Sequence, residues 1–189
     1  MLGFGSTGSR HVQTIEAQRQ PRFMKMNIRP FLPSEWEMFR DLRPFALKSA
    51  PGMFESTHGQ AATRSEADWR ALLSGERQQI FSMFDSDKLV GIAGVFTAKD
   101  DPATAHLVVD FILPDYRGKG LWRLMYDARL DWVRRRKVFT RAVVAARESN
   151  APSLAAMRAV GFAQSHRETH TWPDGATEDE IWLELTLNE

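Results

Sequence analysis

The chain contains no cysteine. Disulfides, thiolate metal sites and cysteine nucleophiles are thereby excluded, and the composition suits a reducing compartment such as the cytoplasm. A long apolar run is missing too, since none approaches the roughly 18 residues that a bilayer-crossing helix needs. Nor is there an excess of one charge. Lys and Arg number 25 against 24 Asp and Glu, for a formal net charge of +1. No chain-wide positive field therefore draws the protein to nucleic acid or to an anionic membrane. Internal repeats and low-complexity tracts are absent. What is present is 189 residues with a hydrophobic fraction of 43%, enough for one domain with a sizeable core.

Residues 1–25 stand apart. Beyond Met1-Leu2-Gly3-Phe4 they hold no apolar stretch of the kind a secretory signal requires. Three readings fit them: a flexible tail or non-native leader, a start placed upstream of Met24 or Met26, and a transit peptide in which Arg10, Arg19, Arg22 and Lys25 outnumber Glu16. We treat 1–25 as an extension and 26–189 as the domain.

Patterned sequence follows. Ile28, Pro30 and Leu32 alternate as in a short edge strand. Ser34 and Glu37 have capping-box spacing before a helix bearing Phe39 and Leu42, which Pro44 should end or kink. Residues 49–64 read as a loop. Ser65 and Asp68 cap a second helix with Trp69, Leu72 and Leu73. Gln79 to Phe84 and Leu89 to Phe96 form a hairpin about Asp85-Ser86-Asp87-Lys88, and His106 to Leu113 is a further strand. The longest helix covers 118–136, with Leu121, Leu124, Met125, Ala128, Trp132 and Val133 at helical spacing. After a strand from Phe139 to Ala146, Asn150 caps a short helix that Gly161 closes. A hairpin turning at Pro173-Asp174-Gly175 ends the chain, its last strand alternating Ile181, Leu183, Leu185 and Leu187 with Trp182, Glu184 and Thr186. The order β-α-α-β-β-β-α-β-α-β-β predicts an α/β (α+β) sandwich around one mostly antiparallel sheet of about seven strands.

The chemistry concentrates at Phe111-Ile112-Leu113-Pro114-Asp115-Tyr116-Arg117-Gly118-Lys119-Gly120-Leu121-Trp122. A strand stops, a glycine-bearing loop follows and a long helix opens. Free amides of a helix's first turn, with the positive end of its dipole, make an anion site, and glycines let a phosphate approach the main chain. The loop is neither a P-loop, because Gly120 follows Lys119, nor a dinucleotide fingerprint, because Arg123 stands at its third glycine.

This loop resembles that of the GNAT superfamily of acetyl-CoA-dependent N-acetyltransferases, whose signature is Arg/Gln-x-x-Gly-x-Gly/Ala after a strand with an apolar-x-Pro ending. Arg117, Gly118, Lys119, Gly120 and Leu121 match; Trp122 departs, where Gly or Ala is usual. A second motif agrees: Asn150, Ser153, Gly161 and Phe162 hold the family's positions on the next helix. The resemblance covers roughly 27–187. It implies an acyl-CoA N-acyltransferase fold, acetyl-CoA as cofactor, and an amine of a small molecule, peptide or protein as acceptor. It further implies that backbone near Phe111, Ile112 and Leu113 holds the pantetheine arm and acetyl carbonyl, that amides from Gly118 to Arg123 cradle the pyrophosphate, and that Asn150 bonds the arm. Trp122 would reshape the pyrophosphate pocket or stack on the cofactor. In many relatives a tyrosine seven residues after the Asn protonates the leaving thiolate. Here that position is Met157, which has no proton to give. Ala145 stands where some relatives have Glu.

The catalytic base has no motif of its own. Asp110 and His106 precede Ile112 by two and six residues, and strict alternation places both on its face. An Asp inside a Val/Ile-rich strand is costly unless partnered. That makes Asp110 the first candidate, against a structural carboxylate paired with an arginine. His106 reads as a strand-end surface residue; His166 and His170 alternate on the terminal hairpin. Arg134-Arg135-Arg136-Lys137 reads as a basic helix end favoured by the dipole rather than a nucleic-acid patch, and Trp172 and Trp182 as hairpin packing. Direct transfer is expected, since no cysteine can carry an acyl group. A longer acyl donor, a homodimer and a non-catalytic acyl-CoA-binding domain on the same fold all remain open.

Overall fold

The computed structural model describes residues 25–49 and 58–187. The extension expected at 1–25 lies outside them except for Lys25, as do residues 50–57 of the expected loop. Seven strands are described: β1 (Met26–Pro30), β2 (Gln78–Asp85), β3 (Lys88–Thr97), β4 (Thr104–Ile112), β5 (Arg141–Arg147), β6 (Ala163–Thr171) and β7 (Thr177–Thr186). They form one sheet in the order β1-β2-β3-β4-β5-β7-β6. Every neighbouring pair is antiparallel except β4 and β5, which run parallel.

Helices cover the two faces unequally. On one face lie α1 (Trp36–Ser49), α2 (His58–Ala62) and α3 (Glu66–Ser74). Their Phe39, Leu47 and Trp69 pack with Ile80, Ile92 and Phe111 of β2–β4. On the other lie α4 (Leu121–Arg134) and α5 (Ala151–Ala159). Their Leu130, Val133 and Leu154 pack with Phe81, Val95, Val144 and Leu183 from across the sheet. Strands covered on both faces need apolar residues at successive positions, and β2 and β3 supply them. On β7 the apolar residues Ile181 and Leu183 are buried at alternate positions, as the sequence predicts for a half-covered strand, and Glu180 of the other face is buried beside them.

Three local expectations fail. The Ser34–Glu37 capping box does not form. Pro33–Glu35 makes a 3-10 turn instead, in which the Leu32 amide donates to Glu35 Oε2 at 2.9 Å. The fixed φ of Pro33 starts the turn one residue early, and Glu35 is held by Arg29 at 2.6 Å. Pro44 does not end its helix, because α1 runs through it to Ser49. A mid-helix proline costs about 3 kcal/mol, but Ala46 and Leu47 beyond it are buried, which offsets that loss. The expected loop over 49–64 contains the one-turn α2, whose Ala61 is buried. By contrast Ser65 and Asp68 cap α3 as expected: the Asp68 amide donates to Ser65 Oγ at 3.2 Å and the Ser65 amide to Asp68 Oδ2 at 2.9 Å.

Candidate active site

The site begins where the sheet parts. β4 and β5 pair only over Thr104–His106 against Arg141–Val143, although β4 continues to Ile112 and β5 to Arg147. Beyond His106 a gap therefore opens between two strands that no longer bond each other. Inside β4, Ile92 pairs with Phe111 but Gly94 pairs with Val108, so Val109 and Asp110 together oppose Ala93. This is a β-bulge. Val109 carries it at φ +66°, a left-handed conformation that is unusual for a β-branched residue and costs about 1–2 kcal/mol. Gly94 makes room opposite: a Cβ there would stand 3.2 Å from Val109 Cγ2.

The surplus residue reverses the alternation. Leu107 packs with the α4/α5 core, whereas Val109 and Phe111 pack with the α1/α3 core. Asp110 and Ile112 thus face α4, as expected, but His106 lies on the opposite face. The expectation that His106 shares the face of Ile112 is corrected by the bulge between them.

Asp110 is held by Arg129 of α4. Nη1 donates to Oδ2 at 3.0 Å, and Nη2 meets Oδ1 at 2.7 Å. The Arg129 side chain is fully buried and that of Asp110 is 40% exposed, so the carboxylate sits low in a cleft that water still reaches. Loss of solvent pushes its pKa up, against the pull of Arg129. Arg129 also stacks over Tyr126, 4.4 Å from the ring centre. Burial drives the Tyr126 phenol above its ordinary range, with the Asp110 charge adding to the shift, so it stays protonated.

Past β4 a short 3-10 turn, Pro114–Tyr116, leads into the loop. The Tyr116 hydroxyl donates to Asp85 Oδ2 at 3.0 Å, tying the turn to the end of β2. Gly118 and Gly120 adopt φ +71° and +72°, and a Cβ at either would project into open space. Gly120 is the N-cap of α4, and no side chain caps that helix. Uncapped first-turn amides beside two glycines that leave the cradle clear are what a phosphate requires. Not every expected group is available. The Arg123 amide donates to the Gly120 carbonyl at 3.1 Å and the Leu113 amide to the Val90 carbonyl at 2.9 Å. Arg117 Nε donates to the Ile112 carbonyl at 2.9 Å, so this guanidinium braces the strand end. The Arg123 side chain pairs with Asp127 at 3.1 Å. Lys119 lies 5.2 Å from the Tyr116 ring centre. Leu121 is buried beside Met125. Trp122 is half-buried against the main core, edge-on to Tyr126 at 6.3 Å.

On the far bank of the gap, Asn150 accepts from the Ser153 amide at 3.4 Å and caps α5. A clamp missed in the sequence fixes it there: Arg147, just before it, binds Asp174 at 2.6 Å and Glu178 at 2.5 Å on the terminal hairpin. Glu178 also accepts from the Ser149 amide. Both carboxyls are held below the usual carboxylate range, chiefly by hydrogen bonds from Arg147. Met157 is buried in the core. His166 stacks on Trp182 and His170 packs edge-on to Trp172. Arg136 lies 3.5 Å from the Trp132 ring centre, so the basic run at the end of α4 does not form one free strip.

A parted pair of strands, a bulge and an uncapped glycine-led helix define an acyl-CoA N-acyltransferase architecture. Residues 36–162 match the family model for the acetyltransferase (GNAT) family, and the chain belongs to that family. No curated protein sequence matches it. Its fold is shared by a GNAT-family acetyltransferase of Streptococcus pneumoniae, with 17% identity over 87% of this chain and 100% of that one at a TM-score of 0.74. A putative acetyltransferase of Salmonella typhimurium, solved with its cofactor acetyl-CoA, shares 18% identity over 87% and 95% at a TM-score of 0.73. The ribosomal-protein-S18-alanine N-acetyltransferase of Escherichia coli shares 20% identity over 87% and 95% at a TM-score of 0.64. No described helix is long and apolar enough to cross a membrane.

Proposed function

We propose that this protein is an N-acetyltransferase that moves an acetyl group directly from acetyl-CoA to a primary amine. The observation that carries the reading is the uncapped start of α4, with Gly118 and Gly120 both left-handed, set at the end of the strand that borders the gap. In this reading the backbone from Gly118 to Trp122 holds the pyrophosphate. The edge of β4 at Phe111 and Ile112 lines the pantetheine arm, and the half-buried Asn150 and Ser153 flank it from α5. Acetyl-CoA supplies an activated thioester with a good leaving group. The chain's part is to align it, to present donors to the oxyanion and to give the amine's proton somewhere to go. With no cysteine in the sequence, transfer runs without an acyl-enzyme. The Salmonella protein solved with acetyl-CoA supports the choice of donor.

The test is thiol release from acetyl-CoA across amines and N-terminal peptides, together with calorimetric binding of coenzyme A. Amine-dependent release is the expected result. A second reading, a non-catalytic acyl-CoA-binding domain, draws on Met157, which places a buried thioether where many relatives have a proton-donating tyrosine. Micromolar coenzyme A binding with no release for any amine would favour it.

A further inference from the structure

The proposed acetyl transfer leaves one question open on the far side of the sheet: what takes the proton from the acceptor. On the α4 side the gap is backed by Arg129, Tyr126 and Phe162, all buried, and the opening that remains beside Asp110 is taken by the cofactor arm in the reading above, so a bulky acceptor has no way in from there. Among the described residues no helix packs on the opposite face over β5, β7 and β6, because α1 and α3 pack on β2–β4. An acceptor therefore arrives on the face that carries His106.

That face holds a row of rings. By register, His106 of β4, Val143 and Ala145 of β5, Trp182 of β7 and His166 of β6 all point to it. His106 and Trp182 have centroids 5.2 Å apart, and Trp182 and His166 stack at 5.5 Å with only 10° between their planes. Trp182 Nε1 donates to the buried Glu180 at 3.1 Å, which fixes the indole's tilt. Glu180 and Glu168 make this face acidic; the arginines among them are already paired, Arg141 with Asp101 and Glu184 and Arg147 with Asp174 and Glu178. Rings edged by carboxylates suit an ammonium ion. His106 is the inner end of the row, and it is also the last β4 residue bonded to β5. An arm laid along β4 from the α4 loop points its reactive end toward that apex.

We propose that His106 is the catalytic base of this site, with Trp182 as the positioning residue that holds its imidazole. This rests on the acetyl-transfer reading above. Neutral His106 takes one proton from the acceptor ammonium. The freed amine nitrogen attacks the thioester carbon; the N–C bond forms and the C–S bond breaks. The second nitrogen proton leaves with the thiolate sulfur as free thiol, and His106 returns the first proton to water. Asp110 has no share in this step, because both its oxygens are engaged by Arg129 and it faces the other way.

The experiment compares His106→Ala with the intact protein, using the best amine from the thiol-release panel. We expect kcat/KM to fall by about 100-fold or more, the usual worth of a general base. Coenzyme A affinity should stay within about twofold by calorimetry, which shows the variant folded and loaded. Added imidazole should restore kcat in proportion to its concentration, which loss of a structural histidine would not allow. Three results overturn the assignment: turnover within about threefold of the intact protein, no rescue by imidazole in a variant that still binds coenzyme A, or a larger kcat loss in Asp110→Asn than in His106→Ala. If the intact protein itself releases no thiol with any amine, acetyl transfer is refuted and the assignment falls with it, a result unlike the other three.

Discussion

The two sides of the gap are built from different materials. The side proposed for the donor is mostly main chain: uncapped amides at the start of α4, two left-handed glycines and the edge of β4. The side proposed for the acceptor is mostly side chain: rings and carboxylates that β4, β7 and β6 bring to one face. Backbone sites are specified by a short contiguous motif, since their geometry is local. Side-chain sites are specified by register, and register is a property of the whole sheet.

Substitutions should separate the two. The largest effect is expected beneath the gap. Asp110→Ala leaves the fully buried Arg129 charge without its carboxylate and should cost about 3 kcal/mol in urea unfolding, the lower end for a broken buried pair because water reaches this one. Arg129→Met, which removes the buried charge itself, should cost less. Gly120→Val should come next. A branched side chain at φ +72° is strained and fills the cradle, so coenzyme A affinity should drop by more than about tenfold in calorimetry while the acceptor face is untouched. Trp182→Leu tests the opposite side: with the His106 ring no longer held, kcat should fall by a few-fold to about tenfold and KM for a cationic acceptor should rise, with coenzyme A binding unchanged. Asn150→Ala removes one cap and should lower stability by about 1 kcal/mol.

The smallest effect is expected from mild acid. Asp174 and Glu178 titrate below their ordinary values in the folded protein because of Arg147. Their contribution is therefore complete above roughly pH 4.5 and is lost as pH falls through the lowered values. The indole N–H resonance of Trp172, next to this clamp, should shift as the pH falls below about 4, before the sheet core responds.

The sequence carried the donor side far better than the acceptor side. Strand and helix order followed from periodicity, and the turn into α4 was marked by Gly118 and Gly120, both left-handed. Its partners were less visible. Asp85 and Tyr116 are 31 residues apart, and Arg147 meets Asp174 only because β5 and the terminal hairpin are neighbours. Pro44 read as a stop because the burial of Ala46 and Leu47 was not visible. Strict alternation puts His106 on the face of Ile112 because it takes no account of a bulge. Nothing in Val108-Val109-Asp110 marks one residue as surplus; the compensating signal, Gly94, lies on another strand.

That surplus residue gives β4 two reading frames. Up to Val108, even-numbered positions look toward the open face; after Val109, odd-numbered ones do. A change of strand length matters more here than a change of residue type. Were the extra residue placed a few positions earlier, His106 would turn toward α4 and the ring row would lose its inner member with every side chain conserved. Insertions and deletions within β4 are thus a direct route by which this scaffold could exchange one acceptor chemistry for another.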